Sequence, residues 1–261
     1  MALGVALGGC VTLPPESLPI AHNPAGSTAR EFEDPGPGLA LEPSDRFLVK
    51  ACGVERAQAV SRMAEQDYQR IIADAGLWHF RPGGLYPIVV YRDADEYLRK
   101  TGAPPWSGGI AVGNAIYTYE GPGLARTLAH EITHLLFHEY MGGRNSLRWF
   151  NEGLAVYEEM QAAESAQKPE LEEWLAASHK RPMPLAELAA YSPGDSRTRA
   201  WYGQSASVVR YLVETGGRSG VEKFLQAAKG GANLDQAVAA GFPALCDSLA
   251  ALEKHWLAVR N

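Results

Sequence analysis

Apolar residues recur along most of the chain at intervals of three and four, the spacing of one face of an α-helix. This pattern predicts helices over residues 55–76, 93–100, 170–180, 205–214 and 221–229. A last stripe, at spacings of 4, 3, 4 and 3, predicts a C-terminal helix that packs against its own protein rather than a partner: Leu245, Leu249, Leu252, Trp256 and Val259.

Strand patterns are confined to the first half of the chain. Residues 86–92 form a short β-branched and aromatic run, and residues 109–119 alternate in the way of a half-buried strand with a turn at Gly113-Asn114. We interpret 109–119 as a hairpin or edge strand. Strands early and helices late predict an α+β fold, with a small mixed lobe followed by a mainly helical lobe.

The most strongly patterned helix begins at Leu124. Its apolar positions fit a 3.6-residue period and suggest burial on most sides. Gly121-Pro122-Gly123 precedes it, and Gly142-Gly143 follows it. Because buried polar groups need partners, the two histidines inside this helix require an explanation.

Those histidines form the segment His130-Glu131-Ile132-Thr133-His134, an H-E-x-x-H motif. Imidazoles four residues apart lie on one helical face and can bind one Zn²⁺ ion, with Glu131 beside the metal as general base. His138 continues the series but cannot share a metal with His130, because eight residues of helix rise about 12 Å.

Glu152 is the best third ligand. The turn at residues 141–146 would let a following helix pack antiparallel to the first, so that Glu152 faces the histidine pair. His130, His134 and Glu152 then hold one zinc ion per chain, with a position open for water, as in catalytic zinc sites.

The two motifs together resemble a known family. H-E-x-x-H followed by Trp149-Phe150-Asn151-Glu152-Gly153-Leu154-Ala155, a W-x-x-E-G-x-A pattern, is similar to the gluzincin metallopeptidases of the peptidase MA type. The resemblance covers roughly residues 55–260. It implies zinc, a thermolysin-like zincin core of two parts and hydrolysis of peptide bonds, with no particular substrate.

The chain departs from that family at one position. Thermolysin-type enzymes carry an Asp four residues after the glutamate ligand, where it orients a zinc histidine, and this chain has Val156 there. Zinc histidines usually donate their second N–H to a carboxylate or carbonyl group. Glu159, two helical turns after Glu152, is a weak candidate for that partner.

Further roles follow from the resemblance and the chemistry. The oxyanion of the reaction needs a second donor, and we assign Tyr202, which is otherwise a core tyrosine at a helix start. In gluzincins the strand before the zinc helix binds the peptide by β-augmentation. That places Asn114 and Ala115 nearest the zinc, unless 109–119 is an ordinary sheet edge.

Composition and net charge restrict the classes of molecule that the protein can bind. The net charge is −6, which gives no electrostatic support for binding nucleic acid, and no run of 18 apolar residues predicts a transmembrane helix. Residues 1–10 end in Leu7-Gly8-Gly9-Cys10, which resembles a bacterial lipoprotein signal with Cys10 as the lipidated residue. Since residues 1–9 lack Lys and Arg and are short for a signal peptide, the true start is expected upstream.

The expected organisation has four parts. Residues 1–10 are a signal remnant, 11–45 a Pro/Gly-rich tether, 46–145 the mixed lobe with H-E-x-x-H and 146–261 the helical lobe with the glutamate ligand. The expected location is the bacterial cell envelope, where the only membrane contact is the lipid anchor. Such a compartment permits a disulfide between Cys52 and Cys246, which the sequence leaves open.

Two functions of different classes remain at this point. The first is a zinc-dependent peptidase acting on a peptide or protein substrate. The alternative is a non-catalytic, zinc-stabilised scaffold module of the envelope. Glu131 favours the peptidase, because a structural zinc site does not require that carboxylate and normally has four protein ligands.

Overall fold

The computed structural model describes residues 32–143, 147–178 and 180–259. Five strands lie within these residues: β1 Leu39–Pro43, β2 Phe47–Cys52, β3 Tyr86–Tyr91, β4 Gly109–Val112 and β5 Ala115–Tyr119. The helices of the first half are α1 Val54–Asp74, α2 Ala94–Thr101 and α3 Leu124–Tyr140. Those of the second half are α4 Arg148–Ala162, α5 Lys168–Ser178, α6 Leu185–Ala190, α7 Thr198–Tyr211, α8 Arg218–Lys229, α9 Leu234–Gly241 and α10 Leu249–Val259.

The strands form one mixed sheet in the order β1-β2-β3-β5-β4. β3 pairs in parallel with both β2 and β5, whereas β1 and β4 pair antiparallel with their neighbours. β4 and β5 form a hairpin whose two turn residues are Gly113 and Asn114. Gly113 has φ 62°, the left-handed conformation that glycine adopts most readily. This hairpin leaves β4 as the outermost strand.

The two faces of the sheet carry different helices. α1 and α3 cover one face, and their apolar side chains join one large buried cluster with strand residues such as Ile88 and Ile116. α2 lies over the opposite face, where Tyr97 packs with Tyr91 and Tyr117 in a smaller cluster. The sheet is therefore buried on both sides around β3 and β5, and α3 lies directly against the β4–β5 hairpin.

Two glycines determine where α3 ends. Gly142 and Gly143 have φ of 63° and 77°, and their amides donate to the carbonyls of Glu139 and His138. Successive left-handed residues cannot continue a right-handed helix, so the chain reverses and α4 begins at Arg148. Contacts between the two helices run in opposite order along the chain, which makes the pair antiparallel, as expected from the short turn.

The helices after α4 complete the core around it. α7 packs closely on α4, since a Cβ added at Gly153 would lie 2.5 Å from the carbonyl oxygen of Ser205. The large buried cluster continues through α7 and α8 to Trp256 on α10. One core thus contains residues of both predicted lobes, and the division at residues 145 and 146 stays a prediction.

Most predicted elements are confirmed within a few residues, and the α+β class is confirmed. The predicted tether, 11–45, extends too far, because Leu39–Pro43 forms β1 and pairs with β2. The pattern misses this strand because Leu39 and Leu41 are exposed, while Pro43 suggests a loop. The helix predicted at 205–214 begins seven residues earlier, at Thr198, and ends in a π-helical turn, Leu212–Gly216.

Some predictions concern residues beyond those described. Cys10, the signal remnant and the tether up to residue 31 lie outside the described residues, so lipidation stays a prediction. Cys52 and Cys246 are both free thiols. Within the part of the chain that the structure describes, no helix has both the length and the apolar character that a membrane crossing requires.

Candidate metal centre

The structure brings the three predicted ligands together. His130 and His134 project from one face of α3, and Glu152 reaches them from α4. One ligand atom from each residue lies within 4.8 Å of the other two. The two Nε2 atoms are 3.0 Å apart, and Oε2 of Glu152 is 3.4 Å from Nε2 of His134.

Each histidine has an acceptor at its other ring nitrogen. Nδ1 of His134 lies 3.1 Å from Oδ1 of Asn151, and Nδ1 of His130 lies 3.3 Å from Oε2 of Glu159. Nδ1 of His134 is within hydrogen-bonding distance of its oxygen, whereas Nδ1 of His130 makes no hydrogen bond with any residue that the structure describes and has the Glu159 carboxylate as an ion-pair contact. An oxygen beside each Nδ1 favours the ring proton at that nitrogen. Both Nε2 atoms then direct lone pairs toward each other and toward Glu152.

This arrangement fits a bound cation. Oε2 of Glu152 is buried and accepts no hydrogen bond from any residue that the structure describes. Two lone pairs and a carboxylate oxygen repel one another unless a proton or a metal ion lies between them. Two zinc–nitrogen bonds of about 2.0–2.1 Å at a tetrahedral angle would separate their nitrogens by about 3.3 Å, close to the observed distance. The donor set of two imidazoles and one carboxylate suits zinc.

The local charges favour a cation as well. Burial opposes ionisation of Glu152, but His134, His130 and Arg148 outweigh it and lower the pKa of this carboxyl. Burial likewise disfavours a charged His134, yet the carboxylates of Glu152 and Glu131 raise its pKa to about 9. The centre therefore attracts positive charge, which a bound divalent ion would supply.

Glu131 lies between the two histidines on α3 and is half-buried. Burial is the largest influence on the pKa of its carboxyl and raises it above the usual value, although His130 and His134 act in the opposite direction. A carboxylate that is desolvated but still reachable from solvent can take and release a proton.

Tyr202, the predicted oxyanion donor, lies in the helix that packs on α4. Tyr202 is buried on α7, and its ring meets that of Trp201 edge to face at a centroid distance of 5.0 Å. α7 packs on α4, the helix of Glu152, but a contact between Tyr202 and the ligands does not follow from this. The oxyanion role stays a prediction.

The predicted peptide-binding residues lie at the turn of the hairpin, and their role stays a prediction. Asn114 is exposed in the hairpin turn, and Ala115 begins β5, with its side chain buried on the α2 face of the sheet. β5 lies between β3 and β4, and its residues 116–118 pair on both sides, whereas Ala115 pairs with Val112 of β4. Among the strands that the structure describes, β4 has the outer edge near α3, and an added strand would pair with Gly109–Val112. The pattern alone did not show which strand of the hairpin was the outer one.

Three polar residues of the centre were missed or undervalued in the sequence. Asn151 precedes the glutamate ligand and contacts His134, and Arg126, one turn before His130, forms an ion pair with Glu159. Arg126 precedes Glu159 by 33 residues, and no local spacing reveals the pairing. The antiparallel packing of α3 and α4 creates it.

Comparison with known families agrees with the geometry. The sequence profile of the Peptidase MA superfamily matches residues 64–260, about three quarters of the chain. The chain belongs to the peptidase MA superfamily, whose membership indicates a metallopeptidase. No curated protein matches the chain at a significant level. The matched region contains α3, α4 and all three candidate ligands.

Proposed function

We propose that this chain is a zinc-dependent peptidase of the gluzincin type. In this proposal His130, His134 and Glu152 hold one zinc ion, and Glu131 is the general base. The observation that carries it is the convergence of two histidine Nε2 atoms and an unsatisfied buried carboxylate oxygen, with a side-chain oxygen within 3.3 Å of each Nδ1. Family membership supports the reaction class.

Zinc, when bound, supplies Lewis acidity that acidifies a water molecule and polarises a carbonyl group. Glu131 takes the proton of the attacking water on a carboxylate oxygen and delivers it to the nitrogen of the leaving amine. Asn151 and Glu159 keep the imidazole protons on Nδ1, so that both Nε2 atoms stay available as ligands. Tyr202 is proposed to donate to the substrate oxygen on which negative charge develops.

The peptide is proposed to lie beside β4. The outer edge of Gly109–Val112 carries backbone groups that an extended peptide can pair with. Gly109 lets this strand lie close to the zinc helix, since a Cβ there would be 2.6 Å from Cγ2 of Thr127. Thr127 precedes Glu131 by one helical turn, so the edge begins close to the proposed base.

The full chain is proposed to be attached to the bacterial cell envelope through a lipid on Cys10. The support is the Leu7-Gly8-Gly9-Cys10 sequence alone. Mass analysis of the protein made in a bacterium behind a complete lipoprotein signal, with Cys10 kept as the lipidation residue, tests it. A lipid adduct that disappears in Cys10→Ser is expected, and an unmodified Cys10 contradicts the anchor.

The decisive experiment measures bound zinc and peptide cleavage on the same preparations. Wild type purified without chelator is expected to hold about one zinc per chain, and Glu152→Ala much less. Glu131→Gln is expected to keep its zinc and to lose most cleavage of a peptide library. Glu173→Gln is the matched control, because Glu173 is an exposed carboxylate on α5.

Two results would overturn the proposal. Absence of zinc in the wild type after reconstitution would refute the proposed metal site. Full cleavage of the peptide library by Glu131→Gln would refute the role of Glu131 as general base. Zinc binding with no cleavage of any library peptide by the wild type would support the scaffold module instead.

A further inference from the structure

We propose that Glu159, held in place by Arg126, positions the imidazole of His130 for metal binding, and that this pair replaces the carboxylate missing at position 156. The inference rests on the proposed zinc site and deepens it. Glu159 and Arg126 act through His130, so both are positioning residues. Neither belongs to the H-E-x-x-H or W-x-x-E-G-x-A motif.

The contacts of Glu159 divide between its two oxygens. Oε2 lies 3.3 Å from Nδ1 of His130, and Oε1 forms the ion pair with Arg126. Glu159 is only 8% exposed. The Arg126 ion pair limits rotation of this buried carboxylate and holds Oε2 beside Nδ1 of His130, so Glu159 can fix the plane of the ring that it contacts.

The helix geometry explains why position 159 can serve. Seven residues after Glu152, α4 has turned almost twice, so the two glutamates lie on nearly the same face, toward α3. The antiparallel pairing places later residues of α4 beside earlier residues of α3. Glu152 therefore meets His134, whereas Glu159 meets His130 and Arg126. Val156 lies between them and is buried in the apolar cluster.

Arg126 supplies the positive charge that the buried carboxylate of Glu159 requires. A buried carboxylate is unfavourable without a partner, and the histidine alone is a neutral donor when it binds a metal. Arg126 precedes His130 by four residues on α3, so the cation and the imidazole reach Glu159 from the same helix. The α3 helix thus carries both groups that hold Glu159, and the packing of α3 on α4 becomes part of the metal site.

The neighbouring residue Glu158 offers a matched comparison. It is also buried, with 0% exposure, and it accepts a hydrogen bond from Nε of Arg70 at 2.7 Å. Arg70 lies on α1, on another side of α4. Glu158 and Glu159 therefore share helix, burial and an arginine partner, but of the two only Glu159 contacts a proposed metal ligand.

The test measures zinc affinity by competition with a chromophoric chelator, on folded protein checked by circular dichroism. Glu159→Gln is expected to bind zinc at least tenfold more weakly than Glu158→Gln does, within the usual range of about 10–100-fold for such partners. Arg126→Gln is expected to weaken zinc binding relative to Arg70→Gln. The double variant Arg126→Gln/Glu159→Gln is expected to match Glu159→Gln, because Arg126 acts through Glu159.

The outcomes separate cleanly. A difference of less than tenfold between the two glutamate variants overturns the proposal, as does an equal loss in both, which would mean general loosening of α4. If Glu159→Gln does not fold, equal zinc affinities of Arg126→Gln and Arg70→Gln overturn it instead. Failure of the wild type to bind zinc is a different result, and it concerns the proposed function.

Discussion

Gly153→Ala is expected to destabilise the protein by separating α4 from α7. A Cβ at Gly153 would lie 2.5 Å from the carbonyl oxygen of Ser205 and 2.9 Å from Cγ2 of Val209. Ordinary contact begins near 3.4 Å, so the helices must move apart by about 0.9 Å. The obstacle at Ser205 is backbone, which cannot rotate away.

The magnitude follows from two opposed effects. Overpacking of a core usually costs up to about 3 kcal/mol, and the rigid neighbour argues for the upper end. Alanine gains about 1 kcal/mol over glycine inside a helix. The expected loss in the free energy of unfolding is therefore about 2 kcal/mol, or about 4–8 °C in Tm for a chain of this length.

Urea and thermal unfolding of the zinc-free protein measure this loss directly. Gly84→Ala is the control, because nothing lies within 4 Å of a Cβ at Gly84, and a change of no more than about 0.5 kcal/mol is expected. A Gly153→Ala variant as stable as the wild type would refute the reasoning. It would mean that α4 and α7 are not in close contact at this glycine.

Two further predictions concern other parts of the core. Burial raises the pKa of Glu158 to about 8, although Arg70 opposes this. Folding therefore favours the protonated form of this carboxyl. The free energy of unfolding that this group contributes falls as pH rises from about 4.5 to about 8. Glu158→Gln should make this fall shallower in urea unfolding measured across that range, and an unchanged slope would contradict it. The second prediction concerns the free thiols. Iodoacetamide should label the half-buried Cys52 in the native protein well before Cys246. Cys246 is only 6% exposed, and burial raises the pKa of its thiol. Equal labelling rates by mass spectrometry would contradict this, and labelling of both after unfolding is the control.

The three proposed metal ligands were predictable because their signal is local. His130 and His134 fall on one helical face by spacing alone, and the glycines at 142 and 143 mark the end of that helix. A short turn between two buried helices then leaves few places for a third ligand. Glu152 followed from this reasoning together with the family resemblance, and the structure places it beside His134.

The edge strand shows where a local pattern stops being sufficient. Alternation in residues 109–119 identifies a hairpin, and the structure contains one. Which of its strands faces outward depends on β3, which lies earlier in the chain and pairs with β5. Strand order is a property of long-range pairing, so the assignment to Asn114 and Ala115 was not decidable from the alternation.

The sequence by itself determined most of the helices, the reversal after Gly143 and the pair of histidines on one face, because each depends on residues a few positions apart. Only the tertiary structure decided that Arg126 and Glu159 meet behind His130, that β4 is the open edge and that α7 presses on Gly153. Each of these contacts joins residues that are distant in the chain or depends on such pairing. The antiparallel packing of α3 on α4 brings Arg126 to Glu159. Strand order makes β4 the outer strand of its hairpin, and the close contact of α7 with α4 occurs at Gly153, which has no side chain.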